Sequence, residues 1–278
     1  IVYMSDLHQE FNGPIKGRFP KGDVLLLGGD ITIATSLREP TTTLKYQQIQ
    51  TSFRGLLEKC KNFSRVYYIL GNHEHYYSCF SETKIIIQKY IDNHFPNNNI
   101  KILDNDYEIY DEVLFIGSTL WTDFNNQNPQ DMIDIQWGLN DYRLIVNKPW
   151  ESISYVERNS PKEHHLITSE FIQNEFRKSR NFIQKTLSEK KKIPTVVLTH
   201  HAPSWKSQHE KRFGSGLGGA FYSNMDWLIQ DNPQIKYWFH GHSHDNVDYM
   251  LGGTRILSNQ QGYPKENLDF VLNKWVKI

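Results

Sequence analysis

Five short stretches of the chain carry side chains of the types that bind divalent metal ions. They are spread over most of the sequence: Asp6-Leu7-His8, Gly29-Asp30, Gly71-Asn72-His73-Glu74, Thr199-His200-His201 and Gly241-His242-Ser243-His244. Carboxylate and amide oxygens with imidazole nitrogens, and no cysteine, suit Mn²⁺, Fe²⁺ or Zn²⁺ better than copper(I) or an iron–sulfur cluster. An all-oxygen Mg²⁺ or Ca²⁺ cage fits this set less well. These ligands are too many for one tetrahedral ion, but they suit two ions that share a carboxylate. Such a pair of ions can stabilise both the attacking and the leaving oxygen when a phosphoryl group is transferred.

Each stretch directly follows a short run of β-branched, aliphatic or aromatic residues. The runs predict buried strands over residues 1–4, 24–27, 66–70, 195–198 and 235–239. In layered α/β folds, ligands bind beyond the carboxyl ends of strands. The sequence therefore predicts that the five stretches converge at one edge of a sheet.

The ordered series D-x-H, G-D, G-N-H-E, H and G-H-x-H extends from Asp6 to His244. This order resembles that of the calcineurin-like metallophosphoesterase superfamily. The resemblance implies an α/β fold, a four-layer αββα sandwich of two mixed β-sheets flanked by helices, with the metal site at the C-terminal ends of strands. It also implies two divalent metal ions as cofactors, for which we expect Mn²⁺, with Fe²⁺ and Zn²⁺ as alternatives.

The resemblance assigns a role to each matching residue. Three residues are expected to bind the first ion: Asp6, His8 and His244. Three others are expected to bind the second ion: Asn72, His200 and His242. Asp30 is expected to bridge the two ions and to be essential for catalysis.

Two histidines that adjoin expected ligands need a separate interpretation. His200 directly follows the strand, which favours it over His201 as the ligand. His201 then becomes a candidate for substrate binding or for support of a ligand, with simple packing beside the site as the alternative. His73 matches the family's non-ligand histidine, which faces the substrate and stabilises the transition state or protonates the leaving oxygen. Imidazole suits proton transfer because its pKa is near neutrality, and Glu74 is expected to orient its neighbours.

The expected reaction is hydrolysis by a metal-bridged hydroxide, because a water between two cations is strongly acidified. No serine or cysteine nucleophile is required. Cys60 and Cys79 lack a paired histidine or a C-x-x-C context, so we interpret both as ordinary thiols.

The sequence differs from better-known branches of the superfamily, and these differences narrow the range of expected substrates. Asp30 is followed by Ile31-Thr32-Ile33-Ala34, without the aspartate–arginine pair of protein Ser/Thr phosphatases, and Ile33 replaces the tyrosine ligand of purple acid phosphatases. The 31 basic and 31 acidic residues give a formal net charge of +0, which disfavours extended nucleic acid as a partner.

We therefore expect a hydrolase for a small phosphodiester or phosphomonoester, with nucleotide-derived esters among the candidates. The same-class alternative is a pyrophosphatase or nuclease of this superfamily. An alternative from another functional class is a non-catalytic protein-binding scaffold. The presence of all the expected metal ligands argues against this alternative.

Length and composition predict one metallophosphoesterase domain over residues 1–278, with a cap or rim insertion around 123–161. With 38% hydrophobic residues the chain can bury a large core. It contains neither an apolar run of membrane-spanning length nor a signal-peptide pattern, so we expect no membrane association and a cytoplasmic location. Secretion is retained as an alternative, because the chain begins inside an expected strand. The sequence does not indicate an oligomeric state.

The connections between the metal-binding stretches have helical and strand patterns. Apolar stripes that include Leu44 and Ile85 predict covering helices over residues 41–61, 81–94 and 165–190. Further strands are expected over 113–116, 247–251, 254–257 and 270–276, with a hairpin at Gly252-Gly253.

Two segments are candidates for substrate contact. Within the expected rim, Arg143 is a candidate for a guanidinium fork on phosphate, with a surface arginine paired to Asp141 or another carboxylate as the alternative. A glycine-rich loop over residues 207–222 is a candidate for closure over the substrate.

Overall fold

Two β-sheets form the centre of the fold. The structure is a computed structural model that describes residues 1–148, 165–210 and 216–278. The strands in these ranges are β1 (Val2–Met4), β2 (Val24–Leu27), β3 (Arg65–Tyr68), β4 (Ile100–Ile102), β5 (Asp106–Tyr110), β6 (Val113–Ser118), β7 (Thr195–Thr199), β8 (Ile235–Phe239), β9 (Asp248–Leu251) and β10 (Thr254–Leu257). The right-handed α-helices in the same ranges are α1 (Gln9–Asn12), α2 (Leu44–Cys60), α3 (Thr83–His94), α4 (Pro129–Gly138), α5 (Asp141–Leu144), α6 (Ser169–Glu189) and α7 (Asp226–Gln230).

The two sheets differ in strand direction. The four-stranded sheet has the order β1-β2-β3-β4 and is parallel throughout. The six-stranded sheet has the order β5-β6-β7-β8-β10-β9 and is mixed, with antiparallel pairs at both edges. The predicted α/β sandwich is confirmed, with the difference that one sheet is wholly parallel. The hairpin at Gly252-Gly253 joins β9 to β10 as predicted.

Alternate residues of the central strands pack on opposite faces, which produces four layers. In β2, Leu26 faces the six-stranded sheet, whereas Leu25 and Leu27 face α2 and α3. On the other side, α6 covers the six-stranded sheet. Strands buried on both faces are apolar along their length. This burial explains why the sequence shows continuous apolar runs instead of alternation.

Two parts of the predicted packing are wrong. Leu44 and Ile85 lie in the first turns of α2 and α3 but are 68% and 65% exposed, because the helical rotation of about 100° per residue turns them away from the buried faces that contain Ile49 and Ile87. Residues 270–276 do not form a strand and make one isolated bridge, between Val2 and Trp275. The side chain of Asn259 instead bonds both backbone groups of Val271.

No helix in the described ranges combines the length and the apolarity needed to cross a membrane.

A carboxylate on β5 ties the two sheets together. Glu108 accepts hydrogen bonds from Arg65 Nε at 2.7 Å, from Arg65 Nη2 at 2.8 Å and from the Tyr67 hydroxyl at 2.7 Å. Arg65 and Tyr67 belong to β3 of the other sheet, and the Arg65 and Glu108 side chains are only 23% and 27% exposed. Charged hydrogen bonds of this kind contribute more than surface ion pairs do.

We predict that Glu108→Ala lowers the free energy of unfolding by about 2 kcal/mol, because it leaves the Arg65 guanidinium and the Tyr67 hydroxyl without their acceptor. Chemical denaturation measures the change. The control is Glu58→Ala, which removes an exposed pair with Lys61 and should cost about 0.5 kcal/mol or less. Equal losses in the two variants would contradict the proposed role of Glu108.

Candidate metal centre

The carboxyl ends of five strands deliver the predicted ligands to one place. Asp6 and His8 follow β1, Asp30 follows β2 and Asn72 follows β3. The remaining three follow neighbouring strands of the other sheet: His200 after β7, and His242 and His244 after β8. All seven side chains are buried. The structure therefore brings the predicted set together where the edges of the two sheets meet.

The backbone at these positions is unusual. Five of the seven residues have positive φ angles: Asp6 (54°), His8 (41°), Asp30 (53°), His242 (72°) and His244 (56°). Residues other than glycine adopt this left-handed region at a free-energy cost, and such conformations cluster at functional sites. Here they turn the side chains inward directly after the strands end.

Two glycines of the motifs allow close approach of the carboxylates. A Cβ atom on Gly71 would lie 2.6 Å from the Asp30 amide nitrogen, and a Cβ atom on Gly241 would lie 2.5 Å from Asp6 Oδ2. Any side chain at either position would displace an aspartate. The glycines in G-N-H-E and G-H-x-H are thus steric requirements of the site.

The spacing of the ligand atoms fits metal binding. Three groups have ligand atoms within 4.8 Å of one another: Asp6, His8 and His244; His8, Asp30 and His73; and Asp30, His200 and His242. His8 Nε2 lies 3.0 Å from His244 Nε2, and His200 Nε2 lies 3.5 Å from Asp30 Oδ1. Ligand atoms about 2.1 Å from one ion are separated by about 3.0–3.4 Å at angles of 90–109°. Asp30 is common to two of the groups.

Two buried polar atoms of the predicted ligands have no hydrogen-bond partner within the described part of the chain. They are Asp6 Oδ2 and His242 Nε2. Burying such atoms without a partner costs free energy. A carboxylate oxygen and an imidazole nitrogen in this state fit the donor set that a divalent cation requires.

The charges of the site are strongly coupled. Burial opposes ionisation of Asp30, but the neighbouring His200 and His73 charges outweigh burial and hold the pKa of Asp30 well below its usual range. Burial likewise lowers the pKa of His200, yet the Asp30 charge raises it to about 9. In contrast, burial and the neighbouring imidazoles hold the pKa of His242 well below its usual value. The Asp30 carboxylate therefore stabilises positive charge on His200, whereas the His242 imidazole is neutral.

Two glutamates that the sequence analysis missed orient three of the histidines. Glu10 Oε1 lies 3.1 Å from His8 Nδ1 and 3.0 Å from His73 Nδ1. Glu266 Oε2 lies 2.5 Å from His244 Nδ1. Carboxylates that bind the outer nitrogen of a ligating histidine fix its ring orientation and tautomer. Glu10, two residues after His8, extends the first motif to D-x-H-x-E, whereas Glu266 has no local sequence signal.

The expected rim contributes a further carboxylate. Asp141 is buried and accepts hydrogen bonds from Asn72 Nδ2 at 2.9 Å and from the Tyr76 hydroxyl at 2.7 Å. The Asn72 amide is thereby oriented so that its Oδ1 atom lies 3.0 Å from His200 Nε2. The interaction joins residues 69 positions apart, so the sequence gives no hint of it.

The two candidate substrate contacts lie in different places. His201 packs behind the centre, with its ring centroid 4.1 Å from that of His242 and its Nδ1 atom 3.3 Å from the Thr119 carbonyl oxygen. Arg143 is exposed and donates to the carbonyl oxygen of Trp137 and to Asn140 Oδ1. The structure does not bring Arg143 to the cavity beside the ligands. Its exposed position agrees with the alternative interpretation of Arg143 as a surface arginine. Its hydrogen-bond partners, however, are neutral oxygens and not the expected carboxylate.

A cavity of about 200 Å³ opens beside the ligands. His73 and Asp30 line one part of it, and residues 138–141 of the expected rim line another. Phe221 and Tyr263 complete the wall. Residues 149–161 of the rim and 211–215 of the glycine-rich loop lie outside the described ranges, so both predictions stand untested there.

Comparison with known proteins agrees with this architecture. A sequence profile of the family described as calcineurin-like phosphoesterase matches residues 1–246. An uncharacterized protein of Acanthamoeba polyphaga mimivirus is 25% identical over 299 aligned residues, covering 97% of this chain and 93% of the viral protein. The crystal structure of phosphopantetheinyl hydrolase from Mycobacterium tuberculosis superposes with a TM-score of 0.60 at 16% identity, covering 95% of this chain and 90% of the other. At that identity the match shows a common fold.

Glu74 holds the loops that follow β2 and β3. Its carboxylate accepts from the backbone N–H groups of Asp30 at 2.8 Å, Ile31 at 2.7 Å and Gly71 at 2.7 Å, and from the Tyr68 hydroxyl at 2.8 Å. The side chain is fully buried. It orients its neighbours as expected and faces backbone, not the cavity.

We predict that Glu74→Gln lowers the free energy of unfolding by about 2–4 kcal/mol, because the new amide NH₂ faces donors that lose their acceptor. Thermal or chemical denaturation gives the value. Glu189→Gln, at the exposed end of α6, is the control and should change stability by about 0.5 kcal/mol or less. A Glu74→Gln protein as stable as this control would show that these hydrogen bonds do not hold the loops.

Proposed function

The chain belongs to the calcineurin-like phosphoesterase family and is a phosphoester hydrolase, and on that premise we propose that it hydrolyses a small phosphodiester or phosphomonoester at a centre of two divalent metal ions. The observation that carries the proposal is Asp30, a buried carboxylate with one oxygen near each set of expected ligands: Oδ2 lies 3.7 Å from His8 Nε2, and Oδ1 lies 3.5 Å from His200 Nε2. A shared carboxylate is the feature that separates a two-ion centre from two independent sites.

The proposed ligands divide into two sets around Asp30. The set for the first ion is Asp6, His8 and His244, and the set for the second ion is Asn72, His200 and His242. Mn²⁺ is the proposed metal, since the mixed oxygen and nitrogen ligands suit it, with Fe²⁺ or Zn²⁺ as alternatives. When bound, the ions would supply Lewis-acid activation of water and of the phosphate oxygens.

His73 is proposed to act on the leaving oxygen. Its Nδ1 atom lies 3.0 Å from Glu10 Oε1, so the other ring nitrogen, Nε2, is available to the substrate. Nε2 lies 3.9 Å from Asp30 Oδ2 and 3.3 Å from the Tyr263 hydroxyl. A histidine held in this way can donate a proton to the leaving oxygen as the ester bond breaks. Glu10 positions the ring and stabilises its protonated form.

The cavity supports a small substrate. Its volume of about 200 Å³ is below the roughly 300–1,000 Å³ typical of pockets for drug-sized ligands. A phosphate with a modest organic group fits such a volume better than an extended nucleic acid does. Nucleotide-derived esters belong to this class. A cytoplasmic location remains a prediction from the sequence.

We predict that Asp30→Ala protein loses both ions and that its turnover falls by more than about 10³-fold, because both sets of ligands lose their shared member. The measurement pairs elemental analysis of Mn²⁺-loaded protein with hydrolysis of bis(4-nitrophenyl) phosphate and 4-nitrophenyl phosphate. Asp92→Ala, on the exposed face of α3, is the matched control and should keep two ions and full turnover. An Asp30→Ala protein with two ions and normal turnover would refute the shared carboxylate.

A second prediction concerns His73→Ala, which should keep two ions but lose about 10²–10⁴-fold in turnover. The loss should be larger for alkyl esters than for 4-nitrophenyl esters, because 4-nitrophenolate leaves without a proton. His94→Ala, at the C-terminal end of α3, serves as the control. Loss of an ion in His73→Ala protein would make His73 a ligand, and equal losses for both ester types would exclude proton donation to the leaving group.

A further inference from the structure

Two aromatic side chains stand exposed beside the buried polar centre. Phe11 on α1 is 54% exposed and Tyr263 is 41% exposed. Their ring centroids are 5.5 Å apart and their planes are nearly perpendicular, at 85°. Neither ring is buried in the hydrophobic core. Exposed apolar surface of this kind next to a functional cavity often marks a binding surface.

The centre itself holds both rings in place. The backbone N–H of Tyr263 donates to Glu266 Oε2 at 2.9 Å, and the same carboxylate oxygen binds His244 Nδ1. The Tyr263 ring also packs on the His8 ring at a centroid distance of 4.8 Å. Phe11 lies one turn beyond His8 and donates its backbone N–H to the His8 carbonyl oxygen. The aromatic pair is therefore preorganised by residues of the proposed first metal site.

The pair lies on the side of the cavity where the leaving group is expected. The centroid of the His73 ring is 6.3 Å from that of Phe11 and 6.0 Å from that of Tyr263. The Tyr263 hydroxyl lies 3.3 Å from His73 Nε2, the nitrogen proposed to face the leaving oxygen. An organic group on that oxygen therefore begins beside the two rings.

Phe11 also lines a second groove, together with Glu10, whose carboxylate lies 3.0 Å from His73 Nδ1. This groove of about 580 Å³ extends along α1 to the start of α2, and Phe11 and Leu44 are among its lining residues. Leu44, which is not packed against the sheet, contributes apolar surface to this groove. The groove offers apolar surface next to Phe11 for the far end of a bulky leaving group.

We propose that Phe11 and Tyr263 form a binding surface for a planar aromatic ring on the leaving alcohol of the substrate. This inference rests on the proposed function, because the direction of the leaving group is set by His73. Two perpendicular aromatic faces favour a third planar ring over a saturated ring of the same size, by stacked and edge-to-face contacts. A nucleobase and an aryl alcohol both carry such a ring.

The test uses ligands that bind without reacting. Dissociation constants of benzylphosphonate and cyclohexylmethylphosphonate are measured by calorimetry on the Mn²⁺-loaded protein. The two ligands carry the same charge and differ in the planarity of the ring. A contribution of about 0.5–1.5 kcal/mol per aromatic contact corresponds to about 2- to 12-fold tighter binding of benzylphosphonate. Phe11→Leu and Tyr263→Leu should each reduce that ratio toward one, whereas Trp275→Leu, an exposed aromatic on the C-terminal segment, should leave it unchanged.

Equal affinities in the wild-type protein, no binding of either phosphonate, or an undiminished ratio in both variants would overturn the inference. The same comparison with the 5′-methylenephosphonate analogues of uridine and 5,6-dihydrouridine monophosphates, in which a CH₂ group replaces the ester oxygen, separates the two sources of the ring. If the planar uridine ligand binds more tightly than its dihydrouridine counterpart, the leaving alcohol is a nucleoside. If only benzylphosphonate binds more tightly than its saturated counterpart, the leaving alcohol is an aryl alcohol.

Hydrolysis of benzyl and cyclohexylmethyl phosphates is measured in parallel. A binding preference without hydrolysis of any phosphate ester would refute the proposed function while the aromatic surface stands. Hydrolysis of both esters without any binding preference would refute the aromatic surface alone.

Discussion

Negative charge buried at the junction of the two sheets is the constraint on which the rest of the structure depends. Asp6 and Asp30 are both buried, and ionisation of Asp6 is opposed by its burial and by the neighbouring Asp30 charge. Buried carboxylates are tolerated when positive charge compensates them. The surrounding imidazoles supply part of that charge, and divalent cations would supply the rest. The positive φ angles, the glycines that approach the carboxylates and the unpartnered Asp6 Oδ2 atom are all consequences of placing these charges together.

A second set of carboxylates makes the arrangement rigid. Glu74 binds the backbone of two loops, Glu10 binds two histidines, and Glu266 connects His244 to Tyr263. Supporting contacts of this kind determine whether a site has the right geometry or merely the right residues. They also couple the proposed chemistry to the surface where the substrate is expected to bind, since one residue, Glu266, contacts both.

The strands and the buried cluster were predictable because their signals are local. An apolar run followed at once by a ligand-type residue marks both the strand and its carboxyl end, and β8 (Ile235–Phe239) has the predicted bounds. Contacts between distant segments left no such signal, as with Asp141 and Glu266. Leu44 precedes Ile49 by five residues, about 140° around an α-helix, so it faces away from the sheet although it is apolar. Arg143 shows that proximity to a site residue in sequence does not place a side chain in the cavity.

The central claim is that one carboxylate, Asp30, joins two metal ions. Electron paramagnetic resonance of the protein titrated with Mn²⁺ tests this claim most directly, because ions that share a carboxylate are magnetically coupled. Two Mn²⁺ ions per chain with the reduced hyperfine splitting of a spin-coupled pair are the expected result. A spectrum that shows only isolated Mn²⁺ at every loading, including full occupancy, would contradict the account.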